Sequence, residues 1–488
     1  MIALALALLA APVIVTEQGP VRGQAIGDGG AVFRGIRFAE PPVGALRWRP
    51  PVPRRPHAAV ADAAAAHAAC SQPAYGDWNR AAANGGSEDC LFLDIRTPRL
   101  DPAARLPVLV WIHGGGNRGG EGGGTVESPI TDSGILLVSV QYRLGALGFL
   151  SHPSLSAEQG GASGNYGLMD QQAALRWVHA NIARFGGDPA KVTIAGGSAG
   201  AQDVGLQLLA PGSAGLFRAA IEESGTPGFG VPPRTLAQNE HLGAMIAAKA
   251  GLPATASAAA LRAAPVGAIL AAQEAVDVPD LDDDSFIWLQ AVVDGRFLRE
   301  TPAAALAAGR INHAALLIGM NARELPLHDG LAPAPSIVRR EFGTHAARAL
   351  AFYGLEPGAT PVHDPRLGDV TQQLADDLTF RCPTIAVSDA FARAGLPVWQ
   401  YQFDHARAGS EVTHGSELSY VFGTPRSDDP PVQTYWTAFV KAADPNAGGL
   451  LRWPRYAVTT RAYLSIGQDA TVAKAALRQP LCGWRSVM

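Results

Sequence analysis

The stretch VTIAGGSAGAQDVGLQLLA, Val192 to Ala210, runs from an apolar, β-branched segment into a helix-forming one, with Gly196, Ser198 and Gly200 at the joint. Where a buried strand turns into a helix across a single residue, the two approach so closely that positions two before and two after the turn need to be small. G-x-S-x-G in this setting is a nucleophile elbow, and the hydroxyl at its tip, Ser198, stands raised at the end of the strand. A strand buried on both sides needs helices on both faces of its sheet, so these few residues already commit the chain to an α/β architecture. PGSAG, Pro211 to Gly215, has similar residues without the glycine spacing.

The rest of the chain agrees. LPVLVWIH (Leu106 to His113), ILLVSVQY (Ile135 to Tyr142) and HAALLIGMNARE (His313 to Glu324) each contain a continuous apolar run, as strands covered on both faces do. Between them, Leu168, Ala173, Leu175, Val178, Ile182 and Phe185 fall near helical spacing, and Gly186 stops that helix. The Ala-rich segment Leu236 to Ala275 reads as helices, and residues 1–60, broken by Gly and Pro, as short antiparallel strands at one edge. No repeat and no long polar linker divides the chain. The expectation is therefore one α/β domain over residues 12–488: a large, mostly parallel central sheet flanked by helices, with a small N-terminal antiparallel meander.

A formal charge of −4 on 488 residues is close to balance, which leaves no electrostatic footprint for nucleic acid or an anionic membrane surface. The apolar run Ile2 to Ala11 is too short to span a bilayer and matches a signal-peptide core, so residues 1–11 are read as an export segment. A first β-strand is the competing reading of that run, and it would leave the protein cytoplasmic. Cys70, Cys90, Cys382 and Cys482 form no CxxC pair, which argues against a zinc ribbon or a thioredoxin-type site. They allow two disulfides in three connectivities.

A serine hydroxyl is a weak nucleophile and needs a base, a group that orients the base, and donors for the oxyanion that forms. WIHGGGN, Trp111 to Asn117, follows a buried strand and offers backbone N–H groups for that oxyanion; Gly115 and Gly116 are the candidates, with Ala199 after the nucleophile as a third. Gly114, Gly116 and Gly119 also spell G-x-G-x-x-G, but a dinucleotide site needs a helix next and a carboxylate ending the following strand. GGEGGGTVESP would break that helix and ILLVSVQYR has no carboxylate, so no cofactor is expected. In this architecture the acid precedes the histidine along the chain. Glu324 ends a buried strand, and His414, in VTHGSELSYVFG, is the leading base among the histidines beyond it. Asp329 and His405 compete on position alone.

With these residues in place the sequence resembles the type-B carboxylesterase family, which includes cholinesterases and para-nitrobenzyl esterases. FRGIRFAEPPVGALRWRPP, SEDCLFLDI, WIHGGGN, VQYRLGALGFLS, GNYGLMDQQAALRWVHANIARFGGDP, GGSAGA, GMNARE, HGSELSYVFG and WTAFVKAADPN occur in the family's order. The resemblance implies an α/β-hydrolase fold and a metal- and cofactor-free serine hydrolase acting on small-molecule esters. In it Ser198 is the nucleophile, Glu324 the acid, His414 the base, and Gly115, Gly116 and Ala199 the oxyanion hole. It also implies the pairings Cys70 with Cys90 and Cys382 with Cys482, and with them a secreted or periplasmic location. The chain departs from the family at Gly197, where Glu is common, and at RELP after the acid strand. The short loop holding Trp78 and Arg80 departs too, and Trp78 is its pocket candidate. These departures speak against choline esters, not against ester hydrolysis. Some relatives have lost the nucleophile and serve in adhesion, but here all three triad positions are filled.

Overall fold

The computed structural model describes residues 11–276 and 291–485. The expected export segment, residues 1–11, lies outside the described residues except for Ala11.

The described residues build an eleven-stranded sheet from β1 (Gln24–Ile26), β2 (Gly30–Arg37), β3 (Phe92–Thr97), β4 (Leu106–Ile112), β5 (Leu136–Val140), β6 (Gly187–Gly197), β7 (Ala219–Glu223), β8 (Ala315–Asn321), β9 (Val398–Asp404), β10 (Ala462–Gly467) and β11 (Thr471–Ala475). The spatial order is β1-β2-β3-β5-β4-β6-β7-β8-β9-β10-β11. From β5 to β10 every neighbouring pair is parallel, and the pairs at both edges are antiparallel.

The apolar runs are continuous because both faces of the sheet are covered. Val108, Val110, Ile112, Val192, Ile194, Leu316 and Ile318 pack on one side with Leu175, Val178 and Phe185. Leu109, Trp111, Ala195, Ile221, Leu317, Trp399 and Tyr401 alternate onto the other side, under Tyr435, Trp436, Phe439 and Val440 of the helix Val432–Ala442. Each such side chain, fully buried, contributes about 1.5–3 kcal/mol before entropy is set against it.

The helix near Leu168 to Phe185 forms as Tyr166–Asn181 plus a tight final turn, ending at Gly186 with φ 91°. Leu236 to Ala275 becomes the helices Leu236–Lys249, Ala258–Ala263 and Val266–Glu274. The N-terminal meander divides. Val13–Thr16 and Gly19–Arg22 form a hairpin extended by Ala61–Asp62, whereas β1 and β2 join the central sheet, drawn in by the buried side chains of Ala31, Phe33 and Ile36. Both disulfides form as the resemblance implied, Cys70 to Cys90 and Cys382 to Cys482, with Cα atoms 5.0 and 5.1 Å apart. No helix among the described residues is long and apolar enough to cross a membrane.

Parallel pairing brings the carboxyl ends of β4, β6, β7 and β8 to one edge, with Ile112 opposite Gly196, Gly197 opposite Glu223, and Glu223 opposite Gly319. Ligands of open α/β sheets bind outside this edge. Every candidate residue for the chemistry sits in a connection that leaves it.

Candidate active site

Ser198 joins β6 to the helix Ala199–Leu209 with φ 57° and ψ −125°, a region that costs a non-glycine residue about 1–3 kcal/mol. The glycines around it are explained by distance. A Cβ on Gly196 would lie 2.4 Å from the Gly200 backbone, and one on Gly200 would lie 2.2 Å from the Ile112 carbonyl oxygen. The turn is pinned where the Ser198 N–H donates to the Glu223 carbonyl at 2.8 Å and the Gln202 N–H donates to the Ser198 carbonyl at 3.0 Å.

The glycine loop after β4 lies against this turn: a Cβ on Gly114 would meet the Gly197 carbonyl oxygen at 2.5 Å. Gly115 and Gly116 take φ 106° and 66°, which glycine alone adopts freely. Among the described residues no internal acceptor takes the N–H of Gly115, Gly116 or Ala199, so these three donors remain available. His113, just before the loop, is buried, which pushes its pKa down to about 4. Its Nδ1 pairs with the Gly114 carbonyl at 2.9 Å, so a neutral imidazole steadies the loop.

His414 Nδ1 meets Glu324 Oε2 at 2.6 Å. Glu324 is buried, and its other oxygen accepts the Asn321 N–H at 2.7 Å, fixing the carboxylate in plane. Burial pulls the His414 imidazolium down, but the Glu324 charge and hydrogen bond, with Glu417 and Asp376 behind, more than offset it and hold its pKa above the ordinary value. Ser198 and His414 line one cavity of about 1270 Å³, together with Gly115, Gly116, Trp111 and Phe422. No hydrogen bond joins Ser198 to His414 in this structure. With Nδ1 committed to Glu324, Nε2 is the histidine nitrogen left for proton transfer.

Trp78 also lines the cavity, with its ring edge 3.3 Å from where a Gly115 Cβ would stand. The competing residues lie elsewhere. His405 packs edge-on against Phe403 and Tyr420, Asp329 is exposed and paired with His328, and neither lines the cavity.

Sequence reasoning passed over the carboxyl groups beneath the histidine. Glu417 accepts from the Ser224 hydroxyl at 3.0 Å and from Asn321 Nδ2 at 2.6 Å, and burial with the nearby Glu324 charge pushes its pKa up to about 7. Asp376 accepts the N–H groups of Glu324 and Leu325, each at 3.1 Å, and pairs with the buried Arg381. The visible signal for Glu417 was its place three residues after the base in HGSE; Asp376 had none.

The carboxylesterase family model matches residues 10–484. The chain belongs to the carboxylesterase family. It is a carboxylic ester hydrolase with the α/β-hydrolase fold. Carboxylesterase 1D of Rattus norvegicus is 32% identical over 531 aligned residues, covering 97% of this chain and 92% of that protein. The fumonisin B1 esterase of Sphingopyxis macrogoltabida is 33% identical, covering 90% of this carboxylesterase and 84% of the relative. Among solved structures, a thermophilic PNB esterase superimposes with a TM-score of 0.84 at 27% identity, covering 97% of this chain and 99% of that one.

Proposed function

We propose that this carboxylesterase hydrolyses its esters through an acyl-enzyme formed on Ser198. His414 Nε2 takes the hydroxyl proton as Oγ attacks the ester carbonyl, and the oxyanion is held by the N–H groups of Gly115, Gly116 and Ala199. Collapse expels the alcohol, which takes that proton from His414. Water activated by the same imidazole then releases the acid and restores Ser198. Glu324 keeps the Nδ1–H tautomer and stabilises the imidazolium.

The observation that carries this reading is the 2.6 Å bond between His414 Nδ1 and Glu324 Oε2 beside a cavity that also holds Ser198. Residues 12–488 act as one catalytic domain, and the two disulfides fit an exported enzyme. A second reading keeps the mechanism and makes the protein a specialised hydrolase of a xenobiotic or toxin ester or carbamate; the cavity volume and the likeness to a fumonisin B1 esterase favour it. The test is stoichiometric labelling with an organophosphate. The expected label is on Ser198, with Ser198→Ala folded and at least about 10⁴-fold slower in kcat. A label on Ser163 or Ser213 refutes the assignment.

A further inference from the structure

Behind the glycine loop, away from the cavity, lies a hydrogen-bonded assembly that the proposed mechanism does not use. Asn117, the residue after the loop glycines, is wholly buried and sits at φ 55°. Its Nδ2 donates to Asp203 Oδ1 at 3.0 Å, and its carbonyl accepts the Gly145 N–H at 2.6 Å. The Tyr142 hydroxyl bridges the loop's two ends, 2.7 Å from the His113 carbonyl oxygen and 3.2 Å from Asn117 Oδ1. Asp203 stands one turn along the helix that begins after Ser198. Its other oxygen accepts from Gln171 Nε2 at 2.6 Å, and the Gln171 amide is oriented in turn by Gln207 Nε2 at 3.3 Å.

Asp203 is completely buried and its hydrogen-bond partners are amides rather than cations, a costly environment for an acid. Burial accordingly pushes its pKa up to about 7, against the opposing pull of Asn117 and Gln171. Neither Asp203 nor Asn117 lines the cavity, so neither touches substrate. What the pair does span is the gap between two elements whose spacing matters: the helix carrying Ala199 and the loop carrying Gly115 and Gly116. Backbone donors act on an oxyanion only when held within a few tenths of an ångström of the productive place.

We propose that Asp203 is a positioning residue for the oxyanion loop, its carboxyl fixing through Asn117 the placement of the Gly115 and Gly116 N–H groups relative to Ser198. The inference rests on the reading of those N–H groups and Ala199 as the oxyanion donors.

The experiment measures kcat and KM for a p-nitrophenyl ester, melting temperature, and affinity for a trifluoromethyl ketone, which adds to the nucleophile and forms an oxyanion. Asp203→Ala is expected to lose roughly 10- to 100-fold in kcat with KM within about threefold, and ketone affinity should fall in parallel. Asp203→Asn keeps an oxygen for Asn117, and the Gln171 amide can turn its oxygen to the new NH₂ because Gln207 Nε2 still has the Leu168 carbonyl at 2.9 Å, so this variant should recover most of that loss. Asn117→Ala should match Asp203→Ala, with the double variant no slower than either, and it carries the test if Asp203→Ala does not fold. A folded Asp203→Ala or Asn117→Ala with wild-type kcat overturns the proposal, as does a loss that leaves ketone affinity unchanged or that Asn fails to restore. Failure of the underlying reading would look different: Ser198→Ala would stay active, or the wild-type enzyme would not bind the ketone, whatever happens at Asp203.

Discussion

Replacing Glu324 by Gln changes one atom, and the structure says which way the new amide must face. Glu324 Oε1 takes the buried Asn321 N–H at 2.7 Å, while Oε2 takes His414 Nδ1 at 2.6 Å and Asn321 Nδ2 at 3.4 Å. The Gln oxygen will keep the backbone donor, because leaving a buried N–H unpaired costs about 1–3 kcal/mol. Its NH₂ then points at Nδ1 and drives the imidazole proton onto Nε2, where the base should be empty. Reaching the active tautomer requires breaking that arrangement, and the imidazolium of the transition state loses a charged hydrogen bond of about 1.5–3 kcal/mol. Together these come to about 4 kcal/mol, or roughly a 10³-fold fall in kcat. Glu324→Ala forfeits only the second contribution and imposes no wrong tautomer, so it should fall by about 10- to 100-fold. Initial rates on a chromogenic ester, with folding checked by circular dichroism, decide the matter. A Gln variant that keeps a tenth of wild-type kcat, or that is no slower than Ala, refutes the reasoning.

The raised pKa of His414 sets a pH dependence: the neutral base is lost on acidification, so the acid limb of kcat/KM should have its midpoint above the ordinary histidine value of about 6.5. Gly197→Glu should move that limb to still higher pH, because an added carboxylate favours the imidazolium, and the nearest atoms to a Cβ there, on Leu418 and Trp111, lie 3.4 Å away; an unmoved limb in the folded variant would show that this position does not couple to His414. Gly200→Ala places a methyl 2.2 Å from the Ile112 carbonyl oxygen and should cost about 2–3 kcal/mol in urea unfolding, and a neutral result would mean that strand and helix part more easily than drawn. In the chain-entropy picture, opening the Cys382–Cys482 loop, with a sequence separation of 100, removes about 4.7 kcal/mol, and opening Cys70–Cys90, with a separation of 20, about 3. Cys482→Ser should therefore melt below Cys90→Ser.

The elements that could be read from the sequence are those whose cause is local. A Cβ on Gly196 would clash with Gly200 four residues on, and the run of Leu106 to Ile112 is continuous because two faces are buried. Glu324 was a candidate because it ends a recognisable strand, and His414 because of its motif VTHGSELSYVFG; the structure pairs the two. Residues whose cause is a meeting of distant segments were not. Asp203 reads as an ordinary polar helix position until Asn117 and Gln171 are brought to it, and Asp376 reads as a surface acid until its oxygens face the Glu324 N–H and Arg381. The N-terminal strands show the same limit in the fold itself. Gly and Pro mark where Gln24 to Arg37 bends, but not that Phe33 is drawn into the main core rather than a separate sheet.

The backbone at Ser198 has a consequence for anyone who selects this protein for endurance. Its φ of 57° and ψ of −125° suit glycine and strain every other residue, whatever the side chain does. Ser198→Gly would release about 1–3 kcal/mol of that strain and return about 0.4–1 kcal/mol to the freer unfolded chain. The balance favours the fold, whereas Ser198→Ala keeps the strain. With Ser198 as the proposed nucleophile, a library ranked only by survival after heating is thereby pulled toward a sturdy molecule that turns nothing over, and the pull comes from the backbone of that residue. Turnover has to be read in the same well as endurance, or the most durable clone recovered will be a silent one.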